Sequence, residues 1–218
     1  MRGDIGRLEG RRTLLRLAIN VSFVAVPWLS ARAQIAATDP TAQIRRLDDA
    51  LLAAMQSGQS TPFAQRFAAL TPVIEQTFDL DAVLAMSVGL DWPTRPGDQK
   101  PALRAAFLRY TVASYAANFN SYSGQVFQVS PTVRDAGNGR FLVYTKIIPT
   151  DGSTHSLDYV MRDGPSGWKA VDVLEDGSIS RVAVQRSDFR QLLDSGGLPA
   201  LTMALRQKVV ILSGGMLA

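Results

Sequence analysis

The sequence predicts an α+β protein in which helices pack over a four-stranded antiparallel sheet. In the first half of the chain, apolar residues recur at the three- and four-residue spacing of helices, and from Ser123 the spacing changes to two, which is typical of strands. Only short turns rich in glycine and aspartate separate the strand candidates. Short turns join antiparallel neighbours, because a parallel pair needs a long crossover connection.

The first 33 residues have the pattern of a cleaved signal peptide. Five arginines between Arg2 and Arg16 precede the apolar run Leu17 to Leu29, which is well short of the roughly 20 residues that a membrane-spanning helix needs. Ala31-Arg32-Ala33 then provides an A-x-A cleavage site. We therefore expect residues 1–33 to be removed on export and residues 34–218 to form one domain. The pair Arg11-Arg12 also resembles a twin-arginine motif, so the export route stays open.

Removal of this segment abolishes the basic character of the chain. The whole sequence has 23 Lys+Arg and 19 Asp+Glu, of which residues 1–33 hold six and two, so the mature chain has 17 of each. A neutral chain lacks the basic surface on which nucleic-acid binding depends. The sequence contains no cysteine, which excludes disulfides and zinc-thiolate sites. Folding must therefore depend on burial of apolar surface.

The helices are predicted from apolar spacing and from prolines. A first helix contains Ile44 to Met55, and Pro62 and Pro72 are each expected to start a new helix. Pro101 opens a long helix whose apolar face, extending to Phe119, is wider than one packing contact requires, so this helix could also line a cavity. The two closing helices are Ser187 to Leu193 and Leu198 to Leu212.

The four predicted strands are Val126–Val129, Phe141–Ile148, Ser156–Arg162 and Trp168–Leu174. Apolar side chains occupy both faces of the second strand. Since an antiparallel sheet normally has one solvated face, this pattern indicates that helices cover one side of the sheet and that something apolar lies against the other.

The residues that could carry chemistry are few. His155 is the only histidine, and strand alternation directs Asp158 to the opposite face, which leaves Asp172 as its other possible partner. A metal site built from Asp172, Glu175 and Asp176 would be oxygen-only and lacks the spacing of a calcium loop. We expect Asp172 to fix a turn or to pair with a nearby cation. The sequence thus predicts no catalytic site, no metal and no cofactor, with an enzyme using His155 as general base as the alternative.

The most specific segment of the chain extends from Gly167 to Leu193. Trp168, Asp172, Glu175, Gly177 and Ser180, in that order, resemble the C-terminal signature of the MlaC-type toluene-tolerance family. Earlier and later segments fit the same family, including Phe78-Asp79, Tyr122-Ser123-Gly124 and Gly197 to Leu205. The turn Glu175-Asp176-Gly177-Ser178 and the run Arg186 to Phe189 depart from the usual pattern and are closer to the hopanoid-associated HpnM branch.

This resemblance implies an apolar cavity between the helices and the sheet, and a binding protein of the periplasm. Such a protein would shuttle phospholipid, or a hopanoid-like lipid, between the inner and outer membranes as the soluble component of an ABC-type transport system. The implied partners are an inner-membrane transporter complex and an outer-membrane lipoprotein, and the implied carrier is a monomer. A structural envelope protein with a filled core is a third possibility.

The residues expected to line the lipid cavity are aromatic or aliphatic: Phe78, Leu84, Phe107, Tyr110, Tyr115, Phe119, Tyr144, Tyr159, Trp168 and Val171. Three cations are candidates for a position near its mouth, where they would suit an anionic head group: Lys146, Arg162 and Arg181.

Overall fold

The computed structural model describes residues 39–217, so the predicted signal peptide, residues 1–33, lies outside the described residues. Five helices and one five-stranded antiparallel sheet form the fold, with strand order β1-β2-β3-β4-β5. The helices are α1 (Pro40–Ser57), α2 (Phe63–Thr77), α3 (Leu80–Val88), α4 (Lys100–Asn118) and α5 (Arg181–Leu212). The strands are β1 (Val126–Gly137), β2 (Arg140–Ile148), β3 (His155–Arg162), β4 (Lys169–Glu175) and β5 (Ile179–Ser180). Within this part of the chain, none of the helices combines the length and hydrophobicity that would let it span a bilayer.

The predicted α+β class is confirmed, but the number of strands is five rather than four. The additional strand, β5, has two residues and pairs with the end of β4, where Leu174 faces Ser180. The first strand is also longer than predicted and continues past Pro131 to Gly137. A bulge between Val129 and Val133 accommodates the proline, and β1 is an edge strand, where a missing N–H breaks no ladder hydrogen bond.

The prediction that Pro72 restarts a helix is wrong, because α2 continues through Pro72 to Thr77. A proline inside a helix costs about 3 kcal/mol. Leu70 and Ile74 lie on either side of Pro72 and are 1% and 0% exposed. Burying two such side chains contributes about 1.5–3 kcal/mol each, which offsets the cost of continuing the helix. In the same turn the Thr71 hydroxyl donates to the Phe67 carbonyl at 2.8 Å.

The two closing helices predicted at Ser187 and Leu198 are the two halves of α5, which begins six residues earlier than expected. The Ser180 hydroxyl caps its first turn by accepting the amide of Ala183 at 3.0 Å. Gly196 and Gly197 have non-helical dihedral angles and kink the helix, and Gly197 has φ 64 and ψ −154, a region essentially restricted to glycine. The predicted break between the halves is therefore a kink and not a loop.

The interior contains two separate cores of buried apolar side chains. The first core lies between the inner face of the sheet and helices α1, α2 and the C-terminal half of α4, and includes Leu51, Ile74 and Tyr159. The second core lies among α3, the N-terminal half of α4 and α5, and includes Leu84 and Phe107. The long helix α4 belongs to both cores, as the breadth of its apolar face predicts.

Candidate functional site

A cavity of about 260 Å³ lies at the boundary between the two cores. One part of its wall comes from the first core, with Phe78 and Val173, and another part from the second core, with Val83 and Phe107. Tyr110 packs against both cores and lines the cavity between them. The cavity therefore exists because the helices α3 and α5 form a core of their own and do not pack fully onto the sheet.

Aromatic rings form one side of the cavity. The ring of Tyr115 lies between those of Phe78 and Phe119, with centroids 5.7 Å and 5.8 Å away, and stacks nearly parallel to Phe119. Burial raises the pKa of Tyr115, so this phenol stays neutral over the physiological range. Uncharged rings at these spacings form a wall that suits hydrocarbon.

Polar side chains form another part of the cavity lining. Thr111, Ser114 and Asn118 lie along one face of α4, with Asn118 exposed. Across from them are Arg181 and Gln185 at the start of α5, and Asp172 and Glu175 on β4. We call Asn118, Glu175, Arg181 and Gln185 the mouth of the cavity. The site therefore has an apolar interior with a charged and polar entrance.

One hydroxyl of the wall has no protein partner. The Oγ1 atom of Thr111 is buried and makes no hydrogen bond within residues 39–217. Its neighbour Ser114, by contrast, donates to the carbonyl of Tyr110 at 2.8 Å. A buried hydroxyl without a partner costs about 1–3 kcal/mol, so Thr111 carries this cost in the folded chain.

Of the ten residues predicted to line the site, five lie on this cavity: Phe78, Phe107, Tyr110, Tyr115 and Phe119. The other five lie elsewhere: Leu84, Tyr144, Tyr159, Trp168 and Val171.

Each of these five has a definite place in the fold. Leu84 is fully buried in the second core, and Tyr159 is fully buried in the first core behind Phe78. Trp168 packs edge-on against Phe141 with centroids 5.4 Å apart. Tyr144 alternates with the buried Val143 and so lies on the other face of β2. Val171 is buried beside a bulge in the β3–β4 pairing.

Sequence analysis named Arg181 as a candidate for the mouth, but it missed the polar residues that α4 contributes to the site. Thr111, Ser114 and Asn118 are spaced three and four residues apart, beside Tyr115 and Phe119. A helix face that carries small polar residues next to a wide apolar stripe was therefore the available signal.

A second buried polar group lies behind this site. Asp48 of α1 is 5% exposed, and its Oδ2 atom has no hydrogen-bond partner within the described residues. Burial, with a smaller contribution from the charge of Asp49, raises the pKa of Asp48 to about 7. The carboxylate also contributes to the raised pKa values of Tyr115 and Tyr159, although burial is the larger cause for both.

The structure does not bring His155 together with either candidate carboxylate. His155 is exposed as the first residue of β3 and pairs with Ile147. Asp158 is buried, pairs with Leu174 and accepts the amide of Thr145 at 3.2 Å. Within residues 39–217, no group of three or more His, Asp or Glu side chains comes together as metal ligands.

Asp172 holds the start of α5 through hydrogen bonds, whereas the sequence predicted that it fixes a turn or pairs with a cation. Its oxygens accept the amides of Val173 and Val182 at 2.8 Å and 3.1 Å, and the Ser180 hydroxyl at 2.5 Å. The sequence segment that is most specific to this chain thus builds a strand, a turn and a capped helix along one wall of the cavity.

Comparison with known proteins identifies relatives of this arrangement. The family model described as MlaC protein matches residues 45–207. A solved structure of a phospholipid-binding protein from Ralstonia solanacearum, in complex with a phospholipid, superimposes with a TM-score of 0.69 at 19% identity. The match covers 81% of this chain and 99% of that chain, and at this identity it shows a shared fold. No curated protein matches the sequence.

Proposed function

Because this chain belongs to the MlaC family, we propose that it is a periplasmic carrier that binds a phospholipid in the cavity and moves it between the inner and outer membranes. The observation that carries the proposal is the cavity itself, with aromatic walls and a polar mouth, at the boundary between two cores. The phospholipid-binding protein that shares the fold supports it.

The size of the cavity is compatible with a ligand that must be released again. A volume of about 260 Å³ is a little below the ~300–1,000 Å³ of pockets that enclose a drug-sized ligand, so the cavity holds only part of a lipid. Each methylene buried there contributes about 0.8 kcal/mol, so a partly enclosed chain binds less tightly than a fully enclosed one. A longer chain, or a second one, requires the walls to separate along the boundary between the cores.

The small volume of the cavity favours phospholipid over a hopanoid-like lipid. A flexible acyl chain can fill a cavity of this size in part, whereas a rigid polycyclic body must fit as a whole. The aromatic residues Phe78, Phe107, Tyr110, Tyr115 and Phe119 would contact the acyl chains.

The family relationship also supports the pathway that we propose. In it, an N-terminal signal peptide directs the chain to the periplasm, where it works as a monomer. An inner-membrane ABC-type complex and an outer-membrane lipoprotein exchange lipid with it. Release then requires these partners to separate the cavity walls, since wall residues such as Phe78 and Phe107 are buried.

The proposal is tested by expressing the full chain in cells, so that its own leader is processed, and analysing the purified protein by native mass spectrometry. We expect co-purified phospholipid in the wild type. Ser114→Trp places an indole in the cavity and should abolish lipid retention, whereas Ala102→Trp, on an exposed face of the same helix, should not. A wild-type protein without lipid, or equal retention in both variants, would contradict the proposal.

The same measurement separates a carrier from the alternative enzyme. His155 lies outside the cavity lining and is exposed. We expect His155→Ala to retain lipid at the wild-type level. A loss of retention in this variant would show that the histidine contributes to the site.

A further inference from the structure

Few charged side chains reach the cavity. Of the three cations that the sequence suggests for its mouth, only Arg181 lines it. Arg162 is paired with Asp79 at 2.6 Å, at the opposite end of β3 from Leu157, and Lys146 is exposed on the other face of β2. The acidic residues on the lining are Asp172 and Glu175.

The Asp172 carboxylate is already occupied by hydrogen bonds within the protein. Its two oxygens accept three donors, the amides of Val173 and Val182 and the hydroxyl of Ser180. The Val182 amide belongs to the first turn of α5, and the next amide, that of Ala183, is held by Ser180. A phosphate therefore cannot use these amides, and Arg181 is the cation of the lining that remains to bind one.

Arg181 and Glu175 form a loose pair at the mouth. Their closest N···O distance is 3.4 Å, longer than the 2.7–2.9 Å of a good charge-assisted hydrogen bond, and their side chains are 41% and 42% exposed. Exposed pairs of this kind contribute little to stability and are screened by salt. A ligand can therefore insert between the two charges at small cost.

The charges of Arg181 and Glu175 decide which head group binds more tightly between them. A head group with phosphate alone would take Arg181 and leave Glu175 facing a second negative charge. A head group that carries both a phosphate and an ammonium would satisfy both residues, replacing one loose pair by two. The Glu175 carboxylate is thus repulsive toward anionic lipids and attractive toward zwitterionic ones.

We propose that the mouth of the cavity selects zwitterionic phospholipids, with the lipid phosphate bound to Arg181 and the lipid ammonium bound to Glu175. This inference rests on the proposed function, since it concerns the lipid that the cavity holds. It assigns to these two residues a role in choosing the head group, while the apolar wall retains the acyl chains regardless of head group.

The test is a competition between head groups with identical acyl chains. The mature protein is incubated with vesicles containing equal amounts of phosphatidylethanolamine, phosphatidylcholine and phosphatidylglycerol, and the bound lipids are counted by mass spectrometry. We expect each zwitterionic lipid to be enriched about threefold over phosphatidylglycerol in the wild type, the size of a surface ion-pair effect.

Three variants isolate the residues. Glu175→Gln removes the repulsion and should bring the bound lipids close to vesicle composition, and Arg181→Gln should lower uptake of all three phospholipids. Asp176→Asn removes a charge from the adjacent exposed residue, which does not line the cavity, and should keep the wild-type preference.

The outcomes distinguish this inference from the proposed function. Bound lipid at vesicle composition in the wild type, or an unchanged preference in Glu175→Gln, overturns the head-group selection and leaves the carrier intact. A protein that takes up none of the three lipids overturns the carrier function and the inference with it.

Discussion

Replacing Asp48 by Asn should make the stability of the protein less dependent on pH. Asp48 is buried without a partner for Oδ2, and its pKa is raised from 3.8 to about 7. Each pKa unit corresponds to about 1.4 kcal/mol, so ionising this carboxyl in the folded chain costs about 4 kcal/mol.

The sign follows from where the proton is bound. Below pH 3.8 the carboxyl is protonated in both the folded and the unfolded chain, so it costs nothing. As the pH rises toward 7, the unfolded chain loses this proton first, and the folded state loses stability until both forms are ionised. Asn is neutral throughout, so Asp48→Asn should be more stable than the wild type by up to about 4 kcal/mol at pH 8 and nearly equal to it at pH 4.

The assay is urea unfolding of both proteins at pH 4, 6 and 8, with the free energy of unfolding taken from each curve. Other titrating groups are common to both proteins, so the difference between them isolates Asp48. Asp49→Asn is the matched control, because Asp49 is exposed and its charge contributes only the smaller part of the pKa rise. A stability difference between Asp48→Asn and the wild type that is no larger at pH 8 than at pH 4 would refute the reasoning.

Three further predictions concern the fold and the cavity wall. Asp172→Ala should lower the free energy of unfolding by about 2–4 kcal/mol in chemical unfolding, because three donors lose a charged acceptor. Asp172→Asn should lower it by less, and equal effects of the two variants would argue against the capping role. Gly197→Ala should cost about 1–3 kcal/mol because of the positive φ at the kink of α5, while Gly97→Ala, at ordinary φ with open space around it, should be close to neutral. Thr111→Val should stabilise the protein by about 1 kcal/mol in thermal unfolding, since it removes an unpaired buried hydroxyl. Ser114→Ala should not stabilise it, since the Ser114 hydroxyl is paired. Destabilisation by Thr111→Val would show that the Thr111 hydroxyl has a partner.

The elements of this fold that sequence predicts well are those with local signals. The change of apolar spacing at Ser123 separates the helical half from the sheet, and the glycine turns separate β2, β3 and β4. The predicted helix start at Pro72 was wrong, and the strand predicted before Pro131 was too short, for one shared reason. Each proline acts locally as a breaker, but burial of Leu70 and Ile74 in one case and an edge-strand bulge in the other compensates for it.

The site was predicted only in part because a cavity is a property of how elements meet. Phe107, Tyr115 and Phe119 belong to the wide apolar face that the sequence predicts for this helix, and all three line the cavity. Leu84 has the same apolar character, yet it fills the second core, and nothing in its local sequence distinguishes the two outcomes. Arg181 and Glu175 come from different elements, so their pairing depends on the turn between β4 and α5.

The two cores keep most of the packing that stabilises the fold apart from the proposed lipid site. Most side chains of both cores lie away from the cavity, and only a few of them, such as Phe78 and Phe107, form its wall. Lipid binding then adds to stability only through mass action, by RT ln(1 + [L]/Kd). Under the proposed function, such a protein would stay folded after its lipid is released, which would spare it an aggregation-prone intermediate.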